Sequence, residues 1–330
     1  MLRNFAYKTL LFLLPILILL FIFVIADPFR LIYQYNDYSK VYTPSLNRDF
    51  VSSETYINKH QKYHYNSFVF GSSRTLAYPI KTWQTHLNKD AIPFKFDASL
   101  ENIFGIHSKI KYLSLQNDTI KNVLIIVCTN LTFSSFEDGE GILFMKHPKI
   151  AKTSSIKFYG EFVKAFFHRN FLINFFTNAF TNKQYHIDYI DKHGAKLDTI
   201  NNDMVMQLWE KDLNNDPKSY YERRKQYFYK HDSIAKYNTR EITAQQIIML
   251  KEIKSIFDKH KTNYKIVISP LYEQLYFNRT DMQLLKTIFG ANTIYDYSGI
   301  NNYTSKIENY YEECHYRPHV GEAIISEIYK

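Results

Sequence analysis

The amino-acid sequence predicts an α/β protein, in which helices flank a parallel β-sheet, an N-terminal transmembrane helix comes first and a helical insertion interrupts the domain. Three observations support this fold class. Residues 10–26 form an almost unbroken apolar run. Residues 121–128 (KNVLIIVC) are mostly apolar in succession, as in a central parallel strand that is covered on both faces. Strand and helix patterns alternate, and a strand–helix–strand order indicates a right-handed crossover within a parallel sheet.

The N-terminal apolar run is predicted to anchor the chain in a membrane, as a segment covering residues 1–27. Its 17 residues reach about 25 Å as a helix, enough for a thin bilayer core. Arg3 and Lys8 precede the run, which predicts a cytoplasmic N-terminus and an extracytoplasmic domain. The alternative is a cleaved signal peptide, because residues 24–26 (VIA) resemble a cleavage site.

The elements of the domain follow in order. Residues 28–63 are polar and tyrosine-rich without a clear period, so we predict a connector that settles onto a domain covering residues 64–330. The first half of this domain is predicted to run strand, short helix, strand, helix, strand over residues 66–70, 83–88, 93–97, 101–115 and 121–128. The last part is predicted to run helix, strand, helix, strand, helix over residues 242–260, 264–269, 280–289, 293–297 and 320–329.

Residues of about 133–240 break this alternation and are predicted to be a helical insertion. Residues 158–180 are aromatic with few charges, whereas residues 211–236 are highly charged and tyrosine-rich. The insertion is interpreted either as a lid over a functional site or as a plain helical buttress. Its aromatic side chains either stack on sugar rings or form ordinary core.

Composition excludes one class of function. The formal net charge of the 330 residues is +9, but lysine and arginine are spread along the chain and mixed with acidic residues. Nucleic-acid binding usually shows as a clustered basic face, so we predict no nucleic-acid partner.

Two short motifs carry the candidate chemistry. In FGSSR, an apolar strand ends at Gly71, and Ser72 and Ser73 follow at the sheet edge where open α/β sheets place their chemistry. A serine hydroxyl needs a base to act as a nucleophile. Near the other end, EECHYRPHVG places His315 three residues after Glu312. The structural interpretation is a polar turn, in which Ser72 caps the next helix, and a surface histidine.

Together the two motifs resemble those of the SGNH (GDSL-like) hydrolase superfamily, over about residues 64–330. Gly71, Ser72 and Ser73 match the family's Gly-Asp-Ser block, with Ser72 in place of Asp. Glu312 stands where Asp is usual in the family's Asp-x-x-His block. The Gly-Ser-Ser variant is similar to the membrane-anchored, cell-envelope branch of the family. The resemblance implies a flavodoxin-like sheet, Ser73 as nucleophile, His315 as general base and Glu312 as the acid that orients the imidazole.

The resemblance also implies an oxyanion hole, formed by the Ser73 N–H and by Asn130, which follows the third strand in VCTN. The family's further donor is a glycine N–H after the second strand, and Leu100 or Glu101 falls near that position here. Arg74 is expected to bind an anionic part of the substrate or to pair with Glu101.

Several further residues are secondary candidates. Glu313 is a substitute for Glu312 with a less suitable spacing, and Asp296 is another acid at a strand end. His319 is expected to be structural. The two cysteines, Cys128 and Cys314, lack metal-ligand spacing. They either form a disulfide outside the cell or remain free, with Cys128 as a buried strand thiol.

The resulting expectation is an extracytoplasmic serine O-acyl esterase or acyltransferase that acts on acylated cell-surface glycan, with acetyl as the expected group. No metal or organic cofactor is implied. The alternative is a non-catalytic envelope protein that binds glycan or scaffolds a membrane acyltransferase. A soluble cytoplasmic α/β protein is a third option, and it requires that the apolar N-terminus does not enter a membrane.

Overall fold

The computed structural model describes residues 2–38, 46–116, 118–181 and 195–330. Its strands are β1 (Ser67–Gly71), β2 (Pro93–Lys95), β3 (Asn122–Val127), β4 (Ala195–Leu197), β5 (Met204–Met206), β6 (Lys236–Tyr237), β7 (Asn263–Ile268), β8 (Leu275–Tyr276), β9 (Ile294–Asp296), β10 (Tyr310–Glu312) and β11 (His315–Tyr316). Its α-helices are α1 (Leu2–Ala26), α2 (Arg48–Tyr63), α3 (Ile80–Gln84), α4 (Ile103–Leu115), α5 (Pro148–Ala151), α6 (Ser155–Phe166), α7 (Arg169–Thr181), α8 (Gln207–Asn215), α9 (Pro217–Arg223), α10 (Ala244–His260), α11 (Arg279–Phe289) and α12 (Pro318–Ile328).

The central sheet has five parallel strands in the order β2-β1-β3-β7-β9. Counted along the chain, this is the order 2-1-3-4-5 of flavodoxin-like sheets, whose strand order reverses between β1 and β3. All six residues of β3 are buried, which explains its continuous apolar run. The α/β class and the parallel sheet are thereby confirmed.

Helices cover both faces of the sheet. Successive side chains of a strand point to opposite faces, so the apolar residues of one strand contribute to the core on each side. Phe68 and Phe70 of β1 join the core beneath α4, α10 and α11, whereas Val69 joins the core beneath α3 and α12. The central strands lie close to their predicted positions. The second strand is shorter than predicted, and the helix after the first turn spans Ile80–Gln84 rather than 83–88.

The segment predicted as a connector contains a helix of the domain itself. Asn47 caps α2 by accepting a hydrogen bond from the Phe50 N–H at 2.8 Å. Tyr56 is fully buried in the main core, and Arg48 pairs with Asp97 at 2.7 Å. The helical period was hidden in the sequence because much of the buried face is polar and finds its partners far away in the chain.

A buried group of charges ties α2 to α4 and to the loop after β2. The Lys109 ammonium lies 2.8 Å from the Asp49 carboxylate and also contacts Glu101, which Lys146 approaches at 2.7 Å. Burial alone would raise the pKa of Asp49, but Lys109 and Lys146 hold it below its ordinary value. Burial would likewise lower the pKa of Lys109, yet Asp49 and Glu101 raise it.

The insertion between β3 and β7 is mainly helical in its described part, from α5 to α9. It also contains short strands that were not predicted: β4 pairs with β5, and β6 pairs with β8, which follows β7. These strands are only two or three residues long, so they are too short for an alternating pattern to be recognised in the sequence.

The helix α1 includes one segment, Tyr7–Ala26, that is long and apolar enough to cross a membrane. Its last turn belongs to the folded body, because the ring of Phe23 packs 5.2 Å from that of Phe166. Asp27 then accepts backbone hydrogen bonds from Leu31 at 2.8 Å and Ile32 at 2.9 Å. The chain thus turns directly from α1 into the domain.

Candidate active site

A sharp turn after β1 presents Ser73 at the carboxyl edge of the sheet. Gly71 has φ +147°, and a Cβ there would lie 2.7 Å from the Ile126 carbonyl oxygen, so the turn requires glycine. Ser72 is buried, and its Oγ accepts a hydrogen bond from the Arg74 N–H at 3.4 Å. Ser73 opens a short 3-10 helix and stays partly exposed.

The second motif forms the hairpin β10–β11 and reaches the same edge. Glu312 and His315 pair across the hairpin, and α12 begins two residues after β11. His315 Nε2 lies 2.7 Å from Ser73 Oγ, and His315 Nδ1 is hydrogen-bonded to Glu312 Oε1. The structure therefore brings the three predicted catalytic residues into one chain of hydrogen bonds.

The Glu312 carboxylate is held firmly. Its second oxygen accepts the Cys314 N–H at 2.8 Å, and its side chain is 17 % exposed. Burial alone would raise the pKa of Glu312, but the hydrogen bond and charge of His315 keep it below the ordinary value. An ionised carboxylate in this place fixes the imidazole tautomer and stabilises an imidazolium.

The two thiols near the site are not paired with each other. Cys128 and Cys314 are both free, so the disulfide alternative is wrong. Burial and the charge of Glu312 raise the pKa of Cys314 to about 11. Cys128 is buried, and its Sγ lies 3.3 Å from the Ser72 Oγ. A raised pKa suppresses the thiolate of Cys314, so Ser73, beside a base, is the better nucleophile of the two.

The predicted oxyanion donors are arranged less favourably. The Asn130 side chain is exposed and donates its amide to Glu273 Oε1 at 2.9 Å. Burial raises the pKa of Glu273. Of the two residues predicted to fall near the third donor position, Leu100 adopts φ +47° and is 47 % exposed, whereas Glu101 is buried. A leucine is strained in this left-handed region of backbone conformation, which glycine adopts freely.

Arg74 connects the turn after β1 to the β10–β11 hairpin. Its side chain is buried, and its Nε donates to the Cys314 carbonyl at 3.0 Å. It does not pair with Glu101, whose carboxylate is held by Lys109 and Lys146, so that alternative is wrong. A role of Arg74 in substrate binding stays a prediction.

The secondary candidates lie in separate settings. Asp296 is exposed, and its carboxylate accepts the N–H of Ser298 at 2.9 Å. His319 is hydrogen-bonded to Asn309 at 2.9 Å, which agrees with a structural role. Glu313 lies in the hairpin turn, and burial and the charge of Glu312 raise its pKa.

The sequence analysis allowed the insertion to be a lid but did not identify the residues by which it reaches the site. Trp209 of α8 lies with its ring centroid 6.2 Å from that of His315 and 5.2 Å from that of Tyr311. Beside it, Glu210 accepts hydrogen bonds from the Tyr311 hydroxyl and from Arg317 Nη2, the latter at 3.2 Å. Trp209 is one of two tryptophans in the chain, but nothing in its spacing indicates what it covers.

Two other features do not add a ligand site here. Glu312, Glu313 and Cys314 lie close enough together to hold a metal ion, but both Glu312 oxygens already accept hydrogen bonds. A cavity of about 410 Å³ lies elsewhere, lined mainly by apolar residues such as Phe29 and Phe171, together with Glu161, Lys164 and His168.

Comparison with known proteins adds no relative to this description. No protein-family model, curated protein or solved structure matches the chain. The assignment of function therefore depends on the geometry of the site, and the resemblance to SGNH hydrolases remains a prediction.

Proposed function

We propose that the protein is a membrane-anchored serine esterase or acyltransferase of the SGNH type. The observation that carries the proposal is the 2.7 Å contact between Ser73 Oγ and His315 Nε2, with Glu312 behind the imidazole. A hydroxyl, an imidazole and a carboxylate in this order are the parts needed for acyl transfer through a covalent intermediate.

In the proposed reaction, Ser73 Oγ attacks the ester carbonyl while its proton moves to His315 Nε2. Glu312 stabilises the imidazolium that forms. The tetrahedral intermediate collapses, the C–O bond to the leaving alcohol breaks, and the alcohol takes the proton from Nε2. Water or a second alcohol then attacks the acyl-serine by the same route, which regenerates Ser73.

The negative oxygen of the intermediate needs preorganised donors. The Ser73 N–H supplies one of them in the proposal. Asn130 supplies another once its amide leaves Glu273, and the backbone N–H of Leu100 or Glu101, near the place of the family's glycine, is a third candidate. Substrate binding is thus proposed to complete the oxyanion hole.

The proposed substrates are O-acyl groups, acetyl above all, on cell-surface glycan outside the cytoplasmic membrane. Two features support the proposed location outside the membrane. The apolar segment Tyr7–Ala26 is followed directly by the domain, and the basic residue Lys8 near its start favours a cytoplasmic N-terminus. Packing of Phe23 against Phe166 favours an anchor that stays attached over a cleaved signal peptide.

A fluorophosphonate probe tests the proposal, with the full chain purified in detergent. The wild type is expected to be labelled, and Ser73→Ala to lose all labelling. Ser72→Ala is the matched control, because it removes the neighbouring hydroxyl and should keep the label. Absence of labelling in a wild-type protein that is folded by circular dichroism would contradict the proposal.

A second candidate function is supported by the two imperfect oxyanion positions, Asn130 and Leu100. The amide of Asn130 is engaged, and Leu100 or Glu101, neither of them a glycine, falls near the place of the family's glycine. A non-catalytic protein that binds glycan or scaffolds a membrane acyltransferase would tolerate both. This candidate predicts that wild type and Ser73→Ala bind acetylated glycan alike and that neither releases acetate.

A further inference from the structure

The helix α7 has apolar residues on two opposite faces. On one face, Phe171 is buried and stacks on Phe29, with ring centroids 4.9 Å apart. On the other face, Ile173, Phe176 and Phe180 recur at the spacing of one helical stripe. Ile173 is 52 % exposed and Phe180 is 83 % exposed. A helix that is apolar on both sides is typical of a buried or a membrane-associated setting.

The inner face of α7 belongs to a cluster that also includes the end of α1. Leu19, Ile22 and Phe23 of α1 pack on the buried aromatic residues of α6 and α7. Leu19 precedes Ala26, the last residue of the apolar segment, by seven positions, or about 10 Å along a helix. If α1 spans the bilayer, whatever packs on Leu19 and Ile22 lies at the depth of the lipid boundary.

The charges of this region fit a membrane surface. Residues 155–181 contain Lys157, Lys164 and Arg169, and only one acidic residue, Glu161. Interfacial helices combine an apolar stripe, buried about 5–10 Å into the headgroup boundary, with lysine and arginine near anionic headgroups. The depth of the cluster on α1 and the excess of basic residues agree with this arrangement.

We propose that α7 is a second membrane contact, which lies in the outer boundary of the bilayer beside α1. The stripe of Ile173, Phe176 and Phe180 would lie among acyl chains of anionic phospholipids, with Lys164 and Arg169 at the headgroups. This inference rests on α1 as an anchor that stays attached, and it does not depend on catalysis at Ser73.

Tryptophan fluorescence in vesicles tests the proposal with the full chain. Ile173→Trp places a reporter on the stripe, and Ile248→Trp is the matched control on α10, where Ile248 is 59 % exposed. Both variants are reconstituted into vesicles of phosphatidylcholine and phosphatidylglycerol with brominated acyl chains, and wild-type emission from Trp83 and Trp209 is subtracted. Flotation first shows that the protein is inserted, which separates failure of the anchor from failure of the proposal.

The added emission of Ile173→Trp is expected to be quenched several-fold more than that of Ile248→Trp. Equal quenching in proteins that float with the vesicles would overturn the proposal. Phe180→Trp serves as a second reporter if Ile173→Trp does not fold.

Charge reversal tests the headgroup part separately. Lys164→Glu and Arg169→Glu, added together to the Ile173→Trp variant, are expected to reduce the quenching of its reporter in vesicles with phosphatidylglycerol and not in pure phosphatidylcholine. An equal effect in both lipids would overturn the assignment to anionic headgroups.

Discussion

The Nε2 atom of His315 lies 2.7 Å from the Oγ atom of Ser73, although 242 positions separate the two residues in the chain. The contact exists because β1 ends at the same edge of the sheet at which the β10–β11 hairpin lies. Arg74 reinforces it, since it follows Ser73 in the chain and donates a hydrogen bond to the carbonyl of Cys314, which precedes His315.

Glu312→Gln should keep the fold and lose most of the reactivity of Ser73. The amide cannot stabilise an imidazolium as a carboxylate does, so probe labelling should slow by about 10³–10⁴-fold. The measurement is the labelling rate of the purified protein. Glu313→Gln, the neighbouring change, is expected to label at the wild-type rate, and slow labelling of both variants alike would argue against a specific role of Glu312.

Acid unfolding gives a second measure of the same carboxylate. The pKa of Glu312 is lowered in the folded protein, so its contribution to stability is present above the unfolded value near 4.5. That contribution is lost as the pH falls through the folded pKa. Wild type should therefore lose stability more steeply than Glu312→Gln below about pH 4.5, as measured by urea unfolding across this range. Parallel curves would contradict the ionised state of Glu312.

Under the proposed mechanism, Trp209→Ala should uncover His315 and change whether water or an alcohol attacks the acyl-serine. Loss of the indole removes the ring beside the imidazole, so water should reach the site more easily and hydrolysis should gain over transfer to an added alcohol. The cost in stability is about 3 kcal/mol, by analogy with other large-to-small changes at buried aromatic residues. Product analysis measures the ratio of the two reactions, and Leu208→Ala, at an exposed neighbour, is the control. An unchanged ratio in Trp209→Ala would show that α8 is only a buttress.

Lys109→Met should be among the most destabilising single changes in the domain. It removes the cation between Asp49 and Glu101 and leaves buried carboxylates short of a partner, at a cost of about 3–5 kcal/mol. Lys111→Met on the same helix removes an exposed pair with Glu252 and should cost less than about 1 kcal/mol. Denaturant unfolding compares the two. Similar losses would show that the buried charges do not hold α2 in place.

Cys314 should react slowly with iodoacetamide although it lies near the surface. With a pKa of about 11 against an ordinary 9.0, its thiolate fraction near neutral pH is lower by about 100-fold. Mass spectrometry after timed alkylation measures the rate, and Cys128→Ser isolates the reaction of Cys314. Two thiols should become reactive once the wild-type chain is unfolded without reductant, whereas a disulfide would leave none.

The parts of the fold that the sequence predicted are those whose signal is local. β3 is recognisable because both its faces are covered, so nearly every residue is apolar. Ser73 could be placed at the carboxyl edge of the sheet because it follows β1. Its pairing with His315 was implied by the resemblance to SGNH hydrolases.

The parts that were missed depend on partners far away in the chain. The helix α2 buries Asp49, whose partner Lys109 lies sixty positions further on, so its polar face looked solvated. Trp209 meets His315 only through the docking of the insertion, which no periodicity encodes. The engagement of Asn130 by Glu273 is likewise a tertiary contact between two loops.

The close junction at Phe23 and Asp27 has a consequence for reach. A domain on a long flexible linker can reach many distances from the membrane. A domain that packs directly on its transmembrane helix stays at a constant height above the lipid. With α1 in a bilayer and the proposed reaction at Ser73, the protein would act only on groups that lie at that height above the membrane.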